Sequence, residues 1–229
     1  MRELAKDYSP NGLFYLRHYI NADDFLRDLQ SGTGINLGRF NLSVTREQLR
    51  AALQTFGRIR SDHPFLDAMS VVDSIVTAPA ESCDSYITAT IADYVRAELL
   101  LAGSSFTFET VMSHPSKVEF FRRARDHGFK TYLYFVALES SDANRDRVHN
   151  RAELGGHDVP EDKIRDRYER SMQLLTSALE ASYRAFLFDN SIQPVWLAEL
   201  TPKGTLELRV GRESLPKWFT IHVSPSFGY

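Results

Sequence analysis

The order strand, helix, strand between Ser105 and Leu138 constrains this chain more than any other feature. Ser105–Thr110 reads Ser-Phe-Thr-Phe-Glu-Thr, an alternating run of aromatic and β-branched residues, as a half-buried strand requires. A polar break at Met112–Ser116 leads into a helical stretch, Lys117–His127, which Gly128 stops. Thr131–Leu138 is then an apolar run of Tyr, Phe and Val. This order spells a βαβ crossover with parallel strands. Parallel sheets bind ligands outside the carboxyl ends of their strands. Glu109 and Thr110 fall on that edge.

An earlier strand ends in the same manner. Leu13–Ile20 is apolar and aromatic, broken by Arg17 and His18, and runs into Asn21-Ala22-Asp23-Asp24. Phe25, Leu26 and Leu29 continue as a short helix. Acidic residues at the end of a parallel strand are placed for chemistry. The same pair suits a plain helix cap. Between Arg145 and Arg170, arginines cluster around Gly155-Gly156. Planar guanidinium forks suit a cover over phosphates. The interleaved Asp and Glu equally suit a solvated, salt-bridged helix pair.

A longer series of words resembles one family. Ser105–Thr110, Ser113, Lys117, Ala124, Gly128-Phe129, Arg147-Val148, Arg151, Gly155-Gly156-His157, Val159-Pro160, Arg167-Tyr168 and Asp189-Asn190-Ser191 stand in the order and spacing of the zeta-toxin-like P-loop kinases. The resemblance spans about 90 of the 229 residues. It implies an α/β, P-loop kinase-like three-layer fold with a parallel central sheet. It implies ATP with Mg²⁺ as phosphoryl donor and a small-molecule acceptor, a UDP-N-acetylamino sugar in the toxin branch. Carried over residue by residue, it makes Asp23 the general base. Asn21, Glu109 and Thr110 become acceptor-binding residues, and Arg147 and Arg151 catalytic lid arginines. His157, Arg167 and Asn190 fall on the nucleotide side. No metal ligand is assigned.

One departure is as informative as the matches. The family's Walker A loop, Gly-x-x-x-x-Gly-Lys-Ser/Thr, is absent from the sequence. Ser31–Arg39 is glycine-rich but lacks the lysine, and Met1–Tyr8 reads as the helix that would follow such a loop. The expectation is therefore a kinase whose loop lies upstream of Met1, inactive as the chain stands. The alternative is a catalytically dead remnant serving as a binding or regulatory protein, with an antitoxin-like partner.

Composition narrows the setting. There are 27 basic and 30 acidic side chains and a formal net charge of −3, which call for neither nucleic acid nor a lipid surface. The single cysteine, Cys83, excludes an internal disulfide and suits a reducing, cytoplasmic location. No long uncharged apolar run appears.

The remaining chain reads as follows. Residues 1–191 form the kinase-like domain, with an insertion at about 31–84, and residues 192–229 a small C-terminal β extension. Thr45-x-x-Gln48 is a capping box opening a helix with Leu49, Leu53 and Phe56 on one stripe. Ile87–Leu101 is a helix. Pro160 opens another whose Ile164, Tyr168, Met172, Leu175 and Leu179 form a core stripe. Val195–Glu199, Thr205–Val210 and Trp218–Val223 read as short strands, with Trp196 and Trp218 as packing anchors.

Overall fold

The computed structural model describes residues 18–56, 59–140 and 160–229. It is a mixed α/β structure that divides into two compact units, one within Tyr15–Thr110 and one containing Val111–Tyr229.

The first unit begins with β1 (Tyr19–Ile20) and α1 (Ala22–Gln30), which buries Phe25, Leu26 and Leu29. β2 (Ile35–Asn36) follows a tight glycine turn. At Gly34 φ is +76°, and a Cβ would meet Val76 O and Thr77 Cγ2 at 2.8 Å. The glycine-rich run is thus required by a left-handed backbone against a neighbouring strand. α2 (Arg46–Thr55) starts with the expected capping box, both hydrogen bonds present. Its Leu49 and Leu53 are fully buried, whereas Phe56 lies at the surface. α3 (Pro64–Ala68) precedes a hairpin of β3 (Ser70–Val72) and β4 (Ile75–Thr77). β2, β4 and β3 form an antiparallel sheet in that order. The 31–84 segment therefore has a sheet and helices of its own. α4 (Ser85–Leu101), capped by Asp84, packs ten buried residues, and β5 (Thr107–Phe108) closes the unit.

β1 and β5 pair in parallel, Tyr19 opposite Thr107 and Ile20 opposite Phe108. The crossover read from the sequence therefore has a different partner. Among the described residues, β5 pairs with β1 and not with the apolar strand after the next helix. Strands joined by a crossover need not be neighbours in a sheet.

The second unit opens with α5 (Pro115–Asp126). Gly128, at φ +80°, ends it, with Gly128 N–H donating to Arg125 O and Phe129 N–H to Ala124 O. β6 (Tyr132–Ala137), α6 (Glu161–Glu180), β7 (Arg184–Asp189), β8 (Val195–Leu200) and β9 (Leu206–Leu208) follow. The sheet order is β6-β7-β8-β9. β6 and β7 run parallel over six residue pairs, and the rest is antiparallel. β8 and β9 thus extend the same sheet. The run read as a third C-terminal strand is instead α7 (Lys217–His222), followed by α8 (Ser224–Phe227). Pro216 starts that helix, and Trp218 and Phe219 pack into the core. A six-residue apolar run fits strand and helix alike until its packing is known.

α6 buries Ile164, Met172, Leu175 and Leu179, as its stripe requires, with Tyr168 half-buried. Among the described residues no helix is long and apolar enough to cross a membrane.

Candidate functional site at the carboxyl edge of a parallel strand pair

β1 and β5 end side by side, so the residues that follow them share one edge. Asn21 leaves β1 with extended backbone (φ −136°, ψ 121°) and becomes the N-cap of α1. Its Oδ1 accepts from the Asp23 N–H at 2.9 Å. This fixes the amide orientation and turns Nδ2 toward two acceptors, Glu109 Oε2 and Tyr19 Oη, each at 3.3 Å. Glu109 is itself held to the strand end, its N–H donating to Ile20 O at 3.2 Å. Asn21, Asp23, Glu109 and Thr110 thus stand on one edge.

The cap reading of the acidic pair is settled by this geometry. Asn21 caps α1, not Asp23 or Asp24. Asp24 pairs with Arg27 at 2.8 Å. Asp23 is exposed, and among the described residues its carboxylate accepts no hydrogen bond and no ion pair. Of the two acids, Asp23 is therefore the one with its oxygens available. The first turn of a helix also favours a carboxylate there.

Arginines elsewhere in this unit hold structure. Arg46 donates to three carbonyls at the end of α3, those of Leu66, Asp67 and Met69, and Arg50 donates to Leu66 O at 2.6 Å. Arg96, almost fully buried, pairs with Asp93 and lies 4.6 Å above the Phe108 ring. That ring precedes Glu109.

In the second unit, the words Arg167-Tyr168 and Asp189-Asn190-Ser191 take distinct parts. Tyr168 Oη donates to Leu138 O at 2.9 Å, pinning α6 to the carboxyl end of β6. Burial pushes the Tyr168 phenol up from its ordinary range, with Asp189 and Glu139 adding to the effect. Asp189 accepts from Trp218 Nε1 at 2.9 Å, from Ser191 N–H at 3.0 Å and from Ser191 Oγ at 3.1 Å. Ser191 Oγ accepts from Glu139 N–H at 2.8 Å. Asp189 and Ser191 therefore knot the β7 turn. Asn190 is placed by its N–H, which donates to Ala137 O at 2.8 Å. Arg167 is exposed on α6. Arg147, Arg151 and His157 lie outside the described residues.

Sequence reading had no signal for Tyr19 as an acceptor for Asn21, because an aromatic in a strand announces only packing. Nor did it see the buried carboxylate of Glu199, which accepts from Arg184 Nε and from Arg209 Nη2, both at 2.7 Å. These partners are distant in sequence and meet only in the sheet.

Among the described residues no group of three or more His, Cys, Asp or Glu could hold a metal ion. Magnesium in phosphoryl-transfer sites takes one or two protein carboxylates beside substrate phosphates and water. Asp23 and Glu109 are two carboxylates at this strand edge, and Glu109 accepts from Asn21. The phosphate end of a nucleotide does not fit the sequence, which offers no glycine–lysine cradle for it. Comparison with protein-family models, curated proteins and solved structures finds no match to this chain.

Proposed function

We propose that the chain is the acceptor-binding and lid-bearing part of a zeta-toxin-type phosphotransferase acting on the hydroxyl of a small molecule. One observation carries this reading. Asn21 joins the carboxyl ends of β1 and β5, and beside it Asp23 presents an exposed carboxylate that is unpaired among the described residues. Phosphoryl transfer asks a protein for positioning and charge, with a carboxylate to take the acceptor proton. In this reading Asp23 accepts that proton. Glu109, held by Asn21, orients the acceptor hydroxyl, and Thr110 adds a hydroxyl contact. Glu109 would order water bound to Mg²⁺, and the ion would neutralise phosphate charge when bound. Arg147 and Arg151 keep the catalytic lid role, and His157, Arg167 and Asn190 the nucleotide-side roles, that the family resemblance gives them.

The P-loop three-layer architecture belongs to the same proposal. β6 is an edge strand among the described residues. A parallel sheet whose loop-bearing strand lies elsewhere leaves such an edge. The missing Gly-x-x-x-x-Gly-Lys-Ser/Thr favours a second reading, a non-catalytic remnant that binds a protein partner.

Mass spectrometry of the endogenous protein's N-terminal peptides separates the two, combined with Mg-ATP titration calorimetry on that protein. Peptides carrying a Walker A loop, with Mg-ATP binding, are expected. A genuine start at Met1 with no Mg-ATP binding would sink the kinase reading.

A further inference from the structure

Alternate residues of a strand share a face. Phe106 and Phe108 share one face of β5, with ring centroids 6.2 Å apart, so Thr107 and Glu109 belong to the other. The parallel register sets Tyr19 opposite Thr107, and Asn21 continues β1 with extended backbone. Tyr19, Asn21, Thr107 and Glu109 therefore stand on one face. All four are half-buried, whereas Ile20, on the opposite face, is in the core. The aromatic residue of this polar face is a tyrosine, and its oxygen is in use.

The Asn21 amide has one acceptor oxygen and two N–H donors. The oxygen takes the Asp23 N–H at 2.9 Å. The two donors have two acceptors, Glu109 Oε2 and Tyr19 Oη, each at 3.3 Å. A phenylalanine at position 19 would pack as well in a strand and would leave one Nδ2–H without this acceptor. Glu109 shows the other side of the arrangement. One of its oxygens is held by Asn21. Among the described residues its Oε1 accepts no hydrogen bond, and the carboxylate forms no ion pair. Which oxygen is held and which stays open depends on the direction of the amide. Without Tyr19 Oη the amide rests on the cap and one bond, and it can tilt and take the Glu109 carboxylate with it.

We infer that Tyr19 is a positioning residue of the acceptor site: by taking one Asn21 N–H it fixes the amide, and the amide fixes which Glu109 oxygen faces the acceptor. The inference rests on the phosphotransferase reading above, in which Glu109 orients the acceptor hydroxyl. It separates two tasks at one strand end. Tyr19 acts through Asn21 and Glu109 on acceptor binding, and Asp23 acts on proton transfer.

Two measurements test it. In the full chain, the ¹H–¹⁵N signals of the Asn21 side-chain amide are compared with those of Tyr19→Phe. One of the two Nδ2 proton signals should move upfield, while the Asp23 backbone amide stays, because the cap is intact. In the endogenous protein, transfer from Mg-ATP to UDP-N-acetylglucosamine is followed in Tyr19→Phe, Asn21→Ala and the double variant. Tyr19→Phe should raise the acceptor KM about two- to tenfold, the increment of one hydrogen bond, with kcat within about twofold. Asn21→Ala should raise KM at least as far. Adding Tyr19→Phe to Asn21→Ala should change nothing further, because Tyr19 works through that amide. An unchanged KM in Tyr19→Phe overturns the inference, as do unmoved Asn21 signals. So does a Tyr19→Phe effect that persists in full beside Asn21→Ala. Transfer with any of these results sinks the positioning role alone. No transfer from the endogenous protein, even with the Asn21 signals moved, sinks the phosphotransferase reading and the positioning role with it.

Discussion

Asn21 donates through Nδ2 to Glu109 Oε2 at 3.3 Å, joining residues 88 positions apart at the ends of two parallel strands. The same side chain caps α1 through Oδ1. One amide therefore performs two tasks, and substitutions separate them. Asn21→Ala loses both and should cost about 1–3 kcal/mol in urea unfolding, a cap plus a bond to a charged acceptor. Asn21→Ser keeps a capping oxygen and should recover part of that loss. Equal losses in the two variants would mean that the cap contributes nothing.

Glu199 is the second structural centre. Its carboxylate is 3% exposed and lies between Arg184 and Arg209. Glu199→Ala would leave Arg184 without its carboxylate and Arg209 with Glu207 alone; breaking a fully buried pair costs about 3–5 kcal/mol, and the loss here should be smaller because both arginines are partly exposed. Arg209→Ala should cost less, because Arg209 is 37% exposed and Arg184 still serves Glu199. Guanidinium unfolding of the full chain measures both. Equal effects would show that the network is not centred on Glu199.

Tyr134 gives a pH signature. It stacks on Phe186 at 4.8 Å, and burial pushes its phenol up from 10 to about 12. The folded state then keeps a proton that the unfolded chain releases first. Its contribution to stability is complete below about pH 10 and is lost as pH rises toward 12. Tyr134→Phe should flatten the stability profile in that window. An unchanged profile would contradict the assignment.

Gly34 and Gly32 test the glycine turn before β2. Both have φ near +75°, but a Cβ at Gly34 meets Val76 O at 2.8 Å, while at Gly32 it meets open space. Gly32→Ala carries the left-handed penalty alone, about 1–2 kcal/mol. Gly34→Ala adds a backbone clash and should be clearly worse by urea unfolding. Similar losses would show that the clash is relieved.

The local parts of this account were legible in the chain. Asn21, Asp23, Glu109 and Thr110 follow apolar runs directly, so their place at strand ends needs only periodicity and punctuation. Thr45 and Gln48 announced their capping box for the same reason. What was hidden is what long-range contact decides. Nothing near Glu109 says that β5 pairs with β1. Trp218–Val223 has the content of a strand, and its helix follows from packing Trp218 against Asp189 and Phe219 in the core. Which residue caps α1 also needed coordinates, since Asn21, Asp23 and Asp24 all have side chains suited to the role.

The most direct measurement is phosphoryl transfer by the endogenous protein, followed by ³¹P NMR with Mg-ATP and a UDP-N-acetylamino sugar, beside its Asp23→Asn form. A general base contributes about 10²–10⁴ in rate. The account expects transfer that falls by at least about 10² in Asp23→Asn while circular dichroism is unchanged. Undiminished transfer in Asp23→Asn, or none from the endogenous protein, would contradict it.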